Sequence, residues 1–332
     1  GATLDEWDPR VVEALAEGRR VIAVDLPGIG SSTGNVPRTI KGMAGAARAF
    51  ISELGLTRID LMGFSLGGFV AQQVTLDAPS LVRRLVLAGT GPAGGKGIDR
   101  PTGAAYVYLD MLRGVLARTD AKEFLFFPRT PDGKAAAREH LARIHERVMD
   151  RDSPISLKAF RTQIAAIKAW GRQKPQDLST ITVPTLIANG DHDRMVPTPL
   201  SEDMHRRIPS STLVIYPGSG HGGVFQYYRE FIPTLLDHLL ALAEQTGALG
   251  AAVFAAVAAG VHPDVFVAAD AMASVERNAY VPRETVSEQY DALYDIYKEL
   301  HDLFGRYNGV SPMHRLKEIR ARIFRDRAPA GA

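Results

Sequence analysis

The apolar positions in the first part of the chain fall into short runs separated by longer amphipathic stretches. Arg20–Asp25 (RVIAVD), Ile59–Gly63 (IDLMG) and Leu85–Ala88 (LVLA) have the length and branched apolar content of buried strands. Ile40–Leu54 and Leu66–Asp77 carry helical periodicity between them. Asp8-Pro9 reads as an N-cap followed by proline at the first helical position, opening a helix to about Glu17. Strands and helices alternating at this spacing predict a parallel sheet covered on both faces. The alternation stops near Ala104. Residues 104–172 are helical without a clear strand, the pattern of a lid or cap inserted over a site. Strands return at Pro184–Asn189 (PTLIAN) and Thr212–Tyr216 (TLVIY), and Phe231–Ala243 reads as a closing amphipathic helix.

The texture changes after Ala243. Residues 247–261 are small and mostly apolar, and from Val281 the chain becomes aromatic, charged and helical, then basic. The sequence therefore predicts two domains: an α/β domain over 1–243 with a helical cap, and an all-helical tail over 244–332.

Composition narrows the function classes. The 332 residues are 45% hydrophobic and 23% charged, as in ordinary globular proteins, with a formal net charge of +2. That balance offers no field for nucleic acid or an anionic membrane. There is no cysteine, which excludes disulfides, cysteine zinc sites and thiol chemistry. The apolar run Ala248–Val261 falls short of the ~18 residues needed to span a bilayer. The chain begins at Gly1, without methionine or a signal-like segment, so a processed or truncated start and a cytoplasmic location are expected.

The candidate chemistry sits at strand ends. Gly63-Phe64-Ser65-Leu66-Gly67 fits G-x-S-x-G, followed by Gly68, at the end of one apolar strand and the start of a helix. Such an elbow holds its serine under backbone strain, with glycines where side chains would clash. It also aims Oγ over a helix N-terminus that favours negative charge. An incidental serine in a glycine-rich turn is the bland alternative, and the flanking strand and helix count against it. A serine nucleophile needs a base and an orienting acid, in the chain order Ser, Asp or Glu, His. Asn189–Pro197 (NGDHDRMVP) follows one later strand and Pro217–Gly223 (PGSGHGG) the next. His221 alone of nine histidines follows a strand in so glycine-rich a loop, which would let its imidazole swing toward the serine. Asp191 and Asp193 compete as the acid, and Asp193, further into the loop, is favoured. Asp191-His192-Asp193 is poor metal-site spacing, because three consecutive residues rarely converge on one ion. Gly28 and Gly30 lack the dinucleotide spacing, opening helix and following acid, so no cofactor is expected.

These residues resemble the α/β-hydrolase superfamily over roughly 1–243. The resemblance is carried by Asp25-Leu26-Pro27-Gly28-Ile29-Gly30-Ser31-Ser32, the elbow, Gly190–Pro197 (GDHDRMVP) and Gly218-Ser219-Gly220-His221. The stretch from Trp7-Asp8-Pro9 through Ala88–Pro92 is similar to a bacterial subgroup that includes haloperoxidase-like members. The resemblance implies a mostly parallel sheet with a helical cap. It also implies ester or related acyl chemistry on a small-molecule substrate, with Ser65 as nucleophile, His221 as base and Asp193, before R-x-V-P, as acid. Leu66 N–H would supply one oxyanion donor; the other comes from a loop that Gly1 resembles the end of. The first strands of the fold would then precede Gly1, leaving an impaired enzyme or fusion product as one alternative and peracid-forming chemistry as another. The cap aromatics Tyr106, Phe124, Phe126, Phe127 and Trp170 would line an acyl pocket or simply pack the cap. Residues 246–323 resemble the carboxy-terminal end of a ribulokinase of the FGGY type. The matching residues are Ala248-Leu249-Gly250-Ala251-Ala252, Ala255–Gly260 and Tyr290–Phe304. No matching kinase sequence stands upstream, so sugar kinase activity is not expected.

Overall fold

The computed structural model describes residues 3–99 and 103–240, together with the single residue Val267. The chain divides into two units, Gly1–Leu242 and Ala243–Ala332. The helical tail and the kinase resemblance expected over 246–323 lie outside the described residues.

Four strands form one parallel sheet in the order β1-β2-β3-β4: Ile59–Phe64, Val82–Ala88, Thr185–Gly190 and Ser211–Tyr216. Helix α3 (Leu66–Asp77) connects β1 to β2, and α8 (Pro199–Arg207) connects β3 to β4. The cap lies between β2 and β3. It consists of α4 (Gly103–Ala117), α5 (Lys122–Phe126), α6 (Pro131–Ile144) and α7 (Leu157–Arg172), with no strand among its described residues. Before the sheet stand α1 (Pro9–Ala16) and α2 (Ile40–Glu53); after it come α9 (Gly223–Gln226) and α10 (Tyr228–Leu240). Asp8 caps α1 as expected, accepting from the Arg10 N–H at 3.1 Å.

Period-two alternation along the strands builds two cores. Leu85, Leu87 and Ile187 face one layer with Phe69, Val74 and Trp170. Val86, Ala88, Leu186 and Ala188 face the other with Phe225, Phe231 and Leu235. Every residue of β3 is buried, as a central strand of a two-faced parallel sheet requires.

One expected strand is absent. Arg20–Asp25 belongs to no regular element, and Val21, Ile22 and Val24 are 37%, 37% and 44% exposed. A strand exists by its ladder, and β1 forms the margin of the described sheet, with pairing only to β2. The apolar pattern of RVIAVD is therefore present without the hydrogen bonds that would make it a strand.

Register aligns the strand ends. Phe64 lies opposite Ala88, Ala88 opposite Ala188, and Gly190 opposite Tyr216. The loops leaving β1, β3 and β4 thus emerge along one edge of the sheet, at the strands' carboxyl ends, where open α/β sheets place their sites.

Candidate active site

Ser65 has the strain that its motif predicts. Its φ is 54° and ψ −119°, a left-handed conformation rare outside glycine. Two hydrogen bonds hold it there: the Ser65 N–H donates to Ala88 O and Thr90 Oγ1 donates to Ser65 O, both at 2.9 Å. The glycine requirement is more selective than the motif. A Cβ on Gly63 would run into the Gly67 carbonyl, and one on Gly68 would come within 2.5 Å of Thr90, whereas Gly67 has open space around it. Leu66 is the first residue of α3, so its N–H is one of those with no partner inside the helix.

The acid and base loops meet. His221 Nδ1 lies 2.8 Å from Asp193 Oδ2, with both side chains essentially inaccessible to solvent. The other oxygen of Asp193 accepts from the Met195 and Val196 N–H groups at 2.8 and 2.9 Å. These donors fix the carboxylate in its own turn while leaving Oδ2 for the imidazole. Asp191 is held differently. Its oxygens accept from the Gly218 and Ser219 N–H groups at 3.0 and 3.1 Å. It staples the acid loop to the base loop. The two aspartates thus take different partners, Asp193 the His221 imidazole and Asp191 the base-loop backbone. His192 is exposed and lies beside Asp191, with Nδ1 2.6 Å from its Oδ1.

His221 is packed rather than exposed on its loop. It is 2% exposed, with the Phe64 ring 4.9 Å and the Phe126 ring 5.3 Å from its imidazole. A Cβ on Gly220 would lie 2.7 Å from the Phe126 carbonyl oxygen, and one on Gly222 would lie 3.0 Å from Phe126 Cβ. The flanking glycines leave room for the cap backbone. His221 Nε2 is buried without a hydrogen-bond partner, so the structure pairs His221 with Asp193 but does not bond it to Ser65. Phe64, immediately before the serine, packs its ring against the imidazole and so links the elbow to the base loop.

The cap aromatics divide. Trp170 is completely buried, stacks on Phe69 at 5.7 Å and donates from its indole to Gly91 O at 3.3 Å, so it packs core. Phe127 is 2% exposed against His140. Phe126 alone among them touches the candidate base, and the Tyr106 side chain lies outside the described residues. The sequence reading missed Phe64, which the motif leaves unspecified, and Asp8. The Asp8 carboxylate caps α1 and also meets His140 Nδ1 at 3.1 Å and the Arg143 guanidinium at 2.6 Å, with all three groups buried. Its N-cap role was legible; its cap partners, more than a hundred residues away, had no local signal.

The family model for the alpha/beta hydrolase fold matches residues 1–226. A 2-hydroxy-6-oxononadienedioate/2-hydroxy-6-oxononatrienedioate hydrolase from a Pseudomonas species is 29% identical over 241 residues, 69% of this chain and 81% of that protein. A pimeloyl-[acyl-carrier protein] methyl ester esterase from Nitrosomonas europaea is 27% identical over 228 residues, covering 68% and 87%. Among solved structures, an alpha/beta hydrolase fold protein from Chitinophaga pinensis superposes with a TM-score of 0.67 at 30% identity, covering 73% of this chain and 86% of that one. The match runs from the segment before α1 through the elbow and the acid and base loops, and the chain belongs to the alpha/beta hydrolase family.

Proposed function

We propose that this protein is a serine hydrolase acting on an ester or related acyl compound through Ser65, His221 and Asp193. The observation that carries this reading is the buried Asp193–His221 pair, 2.8 Å apart, with Nε2 buried and unpartnered on the other side of the ring. The strained serine elbow ends β1 at the same edge of the sheet, and Phe64 just before it packs on the His221 imidazole. Relatives named as a hydrolase of 2-hydroxy-6-oxononadienedioate and as a methyl ester esterase support acyl chemistry without selecting a substrate.

In this reading His221 Nε2 takes the Ser65 Oγ proton as Oγ bonds to the acyl carbon. Asp193 holds the imidazole in the tautomer that leaves Nε2 as acceptor and stabilises the imidazolium that forms. The carbonyl electron pair moves onto oxygen, facing the Leu66 N–H and the positive end of α3. Return of the electrons expels the alcohol, which takes the proton from His221. Water, deprotonated by the same imidazole, then adds to the acyl carbon, and Ser65 Oγ leaves with the proton from His221, which frees the acid and restores the serine. No step needs a cofactor. The cap would shape the acyl pocket, with Phe126 and Phe64 as the aromatic walls beside the base.

A fluorophosphonate probe tests this directly. Covalent labelling mapped to Ser65, absent in Ser65→Ala, is expected, together with loss of activity on short-chain aryl esters. Equal ester turnover by wild type and Ser65→Ala would overturn the reading.

A further inference from the structure

The cap does more than cover the site. The short helix α5 touches the acid loop and the base loop through two of its own carbonyl oxygens, two residues apart. On the acid side, Arg194, the residue after Asp193, donates from Nη2 to Phe124 O at 2.7 Å. On the base side, the residue after His221 does the same from its backbone: Gly222 N–H donates to Phe126 O at 2.8 Å. The Phe126 ring then lies edge-on to the imidazole at 5.3 Å. Each loop is thus tied, one residue beyond its functional side chain, to a single helical turn.

The outer end of this turn is anchored as well. Asp110 on α4 is fully buried and collects three guanidiniums, from Arg113 at 2.5 Å, Arg129 at 2.9 Å and Arg194 at 3.1 Å. A buried carboxylate with charge-assisted donors on both oxygens is costly to disrupt and geometrically exacting. Nη2 of Arg194 therefore donates both to Asp110 and to Phe124 O, which ties the loop that carries Asp193 to the cap at this point.

We infer that Arg194, braced by Asp110, is a positioning residue that sets the Asp193–His221 pair through α5. The inference rests on the triad reading for its kinetic consequence, but the geometry it concerns exists without turnover. The chemistry gives Arg194 no contact with the reacting atoms. Its role is to keep the acid and the base in register with the same piece of backbone. Misplacement of a reacting group by 1 Å costs about 100-fold in rate. Removing the brace should therefore lower kcat about 10- to 100-fold and leave KM within about threefold.

The test compares wild type, Arg194→Ala, Arg194→Lys and Asp110→Asn in the full chain, each checked for native thermal unfolding. Fluorophosphonate labelling rate and ester kcat and KM are measured alongside the downfield proton resonance of His221 Nδ1–H, identified by its loss in His221→Ala. Arg194→Ala is expected to slow labelling and shift or broaden that resonance. Arg194→Lys should recover part of both, since an ammonium can still donate to Phe124 O. Asp110→Asn should move them in the same direction by less. Wild-type kinetics and an unmoved resonance in a folded Arg194→Ala protein would overturn the proposal. If wild type itself fails to label at Ser65, the hydrolase reading falls, and the resonance alone decides the positioning role. Should Arg194→Ala not fold, the Arg194→Lys and Asp110→Asn pair carries the same comparison.

Discussion

Two aspartates, Asp193 and Asp25, each stand where a loop of the core meets the cap, and they are held in opposite ways. Asp193 faces donors only: two backbone N–H groups on one oxygen and an imidazole on the other. Asp25 accepts one N–H, from Leu4 at 3.0 Å, and otherwise faces another acid. Its Oδ2 and the Oδ2 of Asp152 are both buried without a donor, and a Cβ on Gly30 would touch Asp25 Oδ2 and lie 3.0 Å from Asp152 Cγ. Burial first, and then the neighbouring Asp152 carboxyl, push the Asp25 carboxyl up to about 7. Asp152 goes the other way, held down first by a hydrogen bond from Ser31. The lesson is that burial alone does not specify an acid's job. The donors around it decide whether it orients a base or takes a proton to lie against a second carboxyl.

The largest expected effect breaks the comparison at its donor-rich end. Asp193→Asn should lower ester kcat by about 10⁴-fold, because an amide would hold the imidazole in the wrong tautomer. Asp191→Asn, two residues earlier, should cost less than about tenfold, since an amide oxygen still accepts from the base-loop backbone. Steady-state kinetics on one aryl ester ranks the two. Equal losses would mean that the Asp193–His221 pair is not the functional one.

A smaller effect sharpens how tightly the junction around Asp193 and His221 is packed. Gly220→Ala places a methyl 2.7 Å from the Phe126 carbonyl oxygen, where only backbone can give way. Urea unfolding should show a loss of about 1–3 kcal/mol. Gly67→Ala meets nothing within 4 Å on a helical backbone, and should be neutral or stabilising by up to about 1 kcal/mol. Similar destabilisation by both would show that the cap backbone does not press on the base loop.

This contrast bears on what was legible in the chain. Ser65, Asp193 and His221 stood out as candidates because each sits in a local pattern, a strand followed by a turn of fixed composition, and register brings the three loops to one edge. PTLIAN became a strand because ladders flank it on both sides. RVIAVD, with equally good composition, did not, because pairing is a property of two segments and a sequence window shows one. The glycines of the elbow and base loop were visible as glycines, but their reasons were not: Gly63 and Gly68 answer to neighbouring backbone and Thr90, and Gly220 to a cap residue 94 positions earlier. The Asp110 and Asp25–Asp152 contacts were invisible for the same reason, since their partners come from segments that no periodicity connects.

The smallest effect tests the protonated end of the comparison through pH. Asp25 binds its proton more tightly folded than unfolded, so its contribution to stability is fully present below the unfolded carboxylate range and is lost as pH rises through about 7. Asp152, depressed when folded, contributes above the unfolded range and loses that contribution as pH falls. The pair is therefore most favourable near pH 4, at about the unfolded carboxylate value, with one acid protonated and the other ionised. Between about pH 4 and 7 it should make the folded state progressively less stable. Asp25→Asn replaces the protonated acid with an amide of the same shape that can still donate toward Asp152. It should remove this part of the slope, leaving thermal unfolding at about pH 5 nearly unchanged and raising the midpoint at about pH 8. The gain is modest because Arg147 and Arg151, gathered around Asp5 at 3.0 and 3.9 Å, already offset some of the negative charge at this junction. An unchanged pH slope in Asp25→Asn would place both carboxylates in solvent, ionised and independent, and the contrast with Asp193 would reduce to burial alone.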